Sequence, residues 1–84
     1  MKLTFSDEAW EDYLYWQKQD KRMVERINKW VKEVQREAFS GVGKPEPLKH
    51  ALSGFWSRRI TDEHRMVYRV EDDHLLIAQL RYHY

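Results

Sequence analysis

Apolar positions recur along the chain with two periods, a helical one in the first half and an alternating one from about residue 55 onward. Residues 2–5 suit a short first strand, and Ser6 reads as a helix N-cap. Asp7 and Glu8 then fall in the first turn, where the helix dipole favours anions. Trp10, Tyr13 and Leu14 share one face of a helix predicted to run to about residue 18, and Asp20 is a second N-cap. After it Met23, Val24, Ile27, Trp30, Val31 and Val34 form an amphipathic stripe of about four turns. The two helices are expected to pack as a hairpin through these faces. Tyr15 and Trp16 lie off the first stripe and mark a candidate partner surface.

Residues 40–54 hold all three Gly and both Pro, and the prolines on either side of Glu46 predict a stiffened loop. Beyond it, segments 55–61, 65–71 and 74–82 read as consecutive antiparallel strands joined by the turns Asp62-Glu63-His64 and Asp72-Asp73. Glu63-His64 is expected to be solvent-exposed. Alternation assigns Met66, Tyr68 and Val70 to the core side of one strand, and Leu76, Ala78, Leu80 and Tyr82 to the core side of the last. Arg65, Arg69, Gln79, Arg81 and His83 then line the opposite, polar side. The predicted fold class is α+β: two N-terminal helices on one face of a twisted, mainly antiparallel sheet.

Composition narrows this reading. Eighty-four residues make one domain, and four Trp, five Tyr and three Phe supply the bulk of a small core. The absence of Cys excludes a disulfide framework and a thiolate zinc site. With no long apolar run and no signal-like start, a cytoplasmic protein without membrane association is expected. The net charge of +1 is unevenly distributed: residues 1–43 carry eight Lys/Arg against eight Asp/Glu, whereas residues 44–69 carry six against three. All four His lie at or after position 50. Cationic potential therefore gathers where a polyanion would dock, although a solvated charged sheet face has the same composition. Gly43-Lys44 lacks the spacing of a phosphate-binding loop, and the four His lack metal-ligand spacing.

Chemistry concentrates at Glu46, Arg65 and the final pair His83-Tyr84, with Lys44, Lys49, His50, Arg58 and Arg59 as surrounding RNA-binding candidates. Each residue alone has a plainer reading, as a solvated acid, a surface cation, a strand-end His or a packing Tyr. Together they suit metal-free RNA cleavage. Attack of a 2′-OH on the adjacent phosphate needs a base, an acid for the leaving 5′-oxygen and a fixed cation for the phosphorane. Arginine fits the last role because it stays charged and grips two oxygens. Tyr and Trp can stack splayed bases.

Four blocks sharpen this picture: residues 44–50 (Lys-Pro-Glu-Pro-Leu-Lys-His), residues 53–61, Glu63-His64-Arg65 with Val67-Tyr68, and Arg81-Tyr82-His83-Tyr84. In order and spacing they resemble the YoeB-type toxins of the RelE superfamily over the full length of the chain, as one toxin domain, 1–84. The resemblance implies a microbial-ribonuclease-like fold and a messenger-RNA endoribonuclease acting in the ribosomal A site. It implies no cofactor, a cognate antitoxin of the YefM type, DNA contact only through that antitoxin, and a possible homodimer with Tyr15 and Trp16 at its interface. Carried onto this chain, Glu46 would be the general base, Arg65 would stabilise the phosphate, His83 would be the general acid and Tyr84 would order the site and contact RNA. Lys49 and Arg59 would be supporting phosphate contacts. Because a carboxylate is a weak base at neutral pH, cleavage is expected to depend on positioning by the ribosome.

Three other readings stay open at this point. They are a non-catalytic RNA- or antitoxin-binding module, a metal-dependent nuclease and a transcriptional repressor. For the last, no recognition helix is apparent.

Overall fold

Ser6 starts the first helix as its side chain implies: its Oγ accepts from the Ala9 amide at 3.0 Å and also donates to the Ala78 carbonyl at 2.8 Å. The structure is a computed structural model and describes residues 1–82. Strand β1 (Lys2–Phe5) leads into α1 (Asp7–Gln19) and α2 (Lys21–Arg36), and Asp20 caps α2 through the Arg22 amide. Then follow β2 (Glu46–Pro47), a 3₁₀ turn over His50–Leu52, β3 (Trp56–Arg59), β4 (Arg65–Glu71) and β5 (His74–Gln79). The sheet order is β1-β5-β4-β3-β2, antiparallel except for the parallel β1–β5 pair. The predicted α+β architecture is the observed one, with β2 added inside what reads as loop.

Helix α2 buries Met23, Ile27, Val31 and Val34, four of the six stripe positions, and half-buries the other two, Val24 and Trp30. Helix α1 does not bury the expected face. Its buried residues are Ala9, Asp12 and Trp16, whereas Trp10 and Leu14 are exposed. Tyr13 is half-buried and packs with Phe5 and Trp10 in an aromatic cluster at the surface. The rule that large apolar residues mark the buried face fails here because Asp12 and Trp16 are drawn inward by hydrogen bonds, to the Leu80 amide (2.9 Å) and the Leu80 carbonyl (3.0 Å). Trp16 is therefore not an exposed partner residue, and Tyr15 carries the Arg81 guanidinium 3.6 Å over its ring.

Faces of β5 also differ from strict alternation. Tyr68 lies opposite Ile77, but Val67 lies opposite Gln79, so Ala78 is an extra, bulged residue. One inserted residue reverses the parity of everything after it. Leu75 and Ile77, ahead of the bulge, face the core, and the bulge brings Leu80 back to that side; Leu76 and Ala78 are only partly buried, and Tyr82, beyond the strand, is exposed. The core side of the sheet, with Trp56, Met66, Tyr68 and Val70, packs on the helices. Register places Glu46, Ser57, Arg59 and Arg65 together on the other side.

Candidate active site

Glu46 reaches the sheet because β2 pairs with β3 in the register Glu46↔Ser57 and Pro47↔Trp56. Pro45 and Pro47 suit an edge strand, where a missing amide donor leaves no ladder bond unmade. One strand further in, Ser57 lies opposite Val67, and Arg59 opposite Arg65. Arg65 extends across Ser57 to the edge: its Nη1 donates to Ser57 Oγ at 3.1 Å and contacts Glu46 Oε1 at 3.2 Å. The Arg65 side chain is 15% exposed and that of Glu46 49%, so the cation is fixed by protein while the carboxylate faces solvent. The structure thus brings together two of the predicted residues, from segments nineteen positions apart. His83 and Tyr84 lie outside the described residues.

The other candidates divide. Arg59 is exposed, and its Nη1 stands 3.8 Å from Asp62 Oδ1. Lys49 and His50 are exposed where the chain leaves β2 and enters the 3₁₀ turn. Lys44 is exposed and lines, with Arg26, Trp30 and Arg59, a cleft of about 590 Å³ that neither Glu46 nor Arg65 lines.

Arg58 is on the core side, fully buried. Its guanidinium donates to the carbonyls of Glu37 (2.6 Å), Ser40 (2.7 Å) and Val42 (3.0 Å), and its Nε to Tyr68 Oη at 3.4 Å. Glu37 is the C-cap of α2, so the cation meets the negative end of the helix dipole. Arg58 therefore anchors the α2–β2 connection, and its place as an RNA contact is not one the geometry offers. Tyr68, buried beside it, donates to the Ala38 carbonyl at 2.6 Å. Burial pushes the Tyr68 phenol above its usual range, against the opposing pull of Arg58.

Two polar residues that sequence reasoning passed over belong to this neighbourhood. Ser57 is fully buried between Glu46 and Arg65, and its position two residues before Arg59 on an alternating strand was a usable signal. His64, expected to be exposed, is 9% exposed. Thr61 Oγ1 accepts from its amide at 3.1 Å, and its ring packs edge-on to Trp16 at 4.8 Å. Its Nδ1 accepts from the Tyr82 amide at 2.8 Å. Among the described residues, no three metal-ligating side chains gather.

With this geometry in place, comparison with known proteins is decisive. Residues 5–84 match the family model described as YoeB-like toxin of bacterial type II toxin–antitoxin system. The chain belongs to the YoeB-like toxin family. It is 67% identical over 84 residues to Toxin YoeB of Escherichia coli K12, covering 100% of both chains. Its fold superposes on a YoeB/ParE toxin from Agrobacterium tumefaciens with a TM-score of 0.97 at 51% identity, again covering 100% of both. A third relative is the toxin of a heterotetrameric YoeB–YefM toxin–antitoxin complex from Staphylococcus aureus, with a TM-score of 0.92 and 52% identity over 100% of this chain and 98% of that one. No helix among the described residues is long and apolar enough to cross a membrane.

Proposed function

We propose that this toxin is a ribosome-dependent messenger-RNA endoribonuclease that works without a metal ion. The observation that carries the reading is the contact of Glu46 Oε1 with Arg65 Nη1, at 3.2 Å over the Ser57 hydroxyl. A carboxylate and a fixed guanidinium on one open sheet face supply a base and a phosphate clamp together. In the proposed step the 2′-oxygen bonds to phosphorus, its proton passes to Glu46, and Arg65 balances the charge on the phosphorane. The bond from phosphorus to the 5′-oxygen breaks, and that oxygen takes a proton from His83, with Tyr84 ordering the site and contacting RNA. The products are a 2′,3′-cyclic phosphate and a 5′-hydroxyl. Arg59, Lys49, Lys44 and His50 serve as RNA contacts around it, and Arg58 serves the fold.

Ribosome dependence is part of this proposal because a carboxylate is a weak base at neutral pH and gains most from a substrate positioned for it. A ribosome that fixes the scissile nucleotide lowers the barrier by orientation, a large effect when geometry is near attack. The YoeB–YefM heterotetramer of the Staphylococcus aureus relative supports a YefM-type antitoxin as the inhibitory partner, with cytoplasmic ribosomes as the site of action.

A translating extract supplies the test. Wild-type protein should cut messages at discrete, mappable positions, and those cuts should vanish with His83→Gln and with Glu46→Ala while both variants still bind ribosomes. A toxin that halts translation equally well in all three forms and leaves the message intact would instead be a non-catalytic binding module.

A further inference from the structure

The ladder of β5 ends at Gln79, yet the backbone of the next three residues continues to be hydrogen-bonded. Side chains take over where strand pairing stops. Asp12 Oδ2 accepts from the Leu80 amide at 2.9 Å, and Trp16 Nε1 donates to the Leu80 carbonyl at 3.0 Å. Gln79 Nε2 donates to the Arg81 carbonyl at 2.8 Å. His64 Nδ1 accepts from the Tyr82 amide at 2.8 Å, and the Arg65 amide donates to the Tyr82 carbonyl at 3.2 Å. Both polar groups of Leu80 and of Tyr82 are thus engaged, by α1 on one side and by residues 64–65 on the other.

Burying an Asp and a His is unfavourable unless their polar atoms are paired, and a Leu would fill either space without that demand. What Asp12 and His64 add is an acceptor for a backbone amide, which fixes where the chain runs after the sheet has ended. The imidazole can do this only with Nδ1 unprotonated, so its proton sits on Nε2, 3.5 Å from Glu63 Oε1. The turn behind it is itself tied down, because the His64 carbonyl accepts from the amides of Ile60 (2.9 Å) and Thr61 (3.1 Å).

We propose that His64 and Asp12 are positioning residues of the cleavage reaction. Acting through the backbone of Leu80 and Tyr82, they hold the segment that continues into His83 and Tyr84 against Arg65, the residue proposed to grip the phosphate. This rests on the nuclease reading above. Neither side chain touches substrate; each fixes the backbone of Leu80 or Tyr82, from which the chain leads on to the proposed acid.

The test pairs two substitutions at one site. His64→Leu fills the space and removes the acceptor, whereas His64→Asn places an amide oxygen near the position of Nδ1. Single-turnover cleavage of ribosome-bound message is measured over a range of ribosome concentrations, alongside hydrogen exchange of the Tyr82 amide. His64→Leu should accelerate that exchange and lower the maximal rate by about 10²-fold, the scale of a displacement near 1 Å, at unchanged half-saturation. His64→Asn should restore most of both. If His64→Leu does not fold, Asp12→Leu against Asp12→Asn, read at the Leu80 amide, makes the same comparison. A freed amide with wild-type cleavage rate overturns the positioning role alone. Wild-type protein that leaves ribosome-bound message uncut overturns the nuclease reading first, and this inference with it.

Discussion

At the scale of single residues, the buried polar groups separate folding from chemistry. Arg58 and Arg59 are adjacent in sequence, and strand parity sends one to the core and the other to the outer face. Sequence alone made both RNA contacts, because charge predicts exposure and a buried guanidinium is rare without partners. The partners here are carbonyls of the α2–β2 connection, which no pattern of side chains announces. Tyr68 shares that buried site, and its raised pKa has a consequence for stability. A phenol that ionises less readily folded than unfolded contributes its stability in full below the unfolded value of 10.0, and that contribution is lost as pH rises through the folded value. Denaturant titrations should therefore show stability falling above about pH 10, with a shallower fall in Tyr68→Phe. At neutral pH the same substitution removes the bond to the Ala38 carbonyl and should reduce stability by about 1 kcal/mol.

Among elements, the long amphipathic α2 was legible because six apolar positions agree on one face. Helix α1 was not, since its buried face is carried by Ala9, Asp12 and Trp16 and its exposed face by Trp10 and Leu14. The bulge at Ala78 was equally invisible, as an extra residue changes parity without changing composition. The two-residue β2 hid within a segment rich in Gly and Pro, though its prolines are what an edge strand tolerates. That segment reaches β2 through Gly43, whose φ is +86° and whose carbonyl accepts from the Arg59 amide at 2.8 Å. A methyl at Gly43 would stand 3.4 Å from Arg58 Cβ, the Arg59 carbonyl and Trp30. Gly43→Ala should lower stability by about 1–2 kcal/mol, from left-handed strain with little room to relax. Gly54→Ala is the control: its φ of +97° carries similar strain, but nothing lies within 4 Å. Thermal melts should rank Gly43→Ala below Gly54→Ala, and the reverse order would mean that the loop moves freely around Arg58.

For the molecule as a whole, the helices cover one face of the sheet and leave Glu46, Arg59 and Arg65 on the other. The uneven charge of the sequence pointed to that half of the chain, and four spaced blocks pointed to its family, which the match over residues 5–84 establishes. What no linear pattern contained was proximity. Glu46 and Arg65 meet only because β3 lies between them in the sheet and presents a serine, small enough for the guanidinium to cross. The reaction proposed for this face requires the message's own 2′-hydroxyl as nucleophile, and one substitution in the substrate tests that requirement directly. A ribosome-bound message carrying a single 2′-deoxynucleotide at a mapped cut site should remain whole at that bond, while its all-ribose counterpart yields a 2′,3′-cyclic phosphate end. Equal cleavage of the two messages, leaving a free 3′-hydroxyl, would contradict the account.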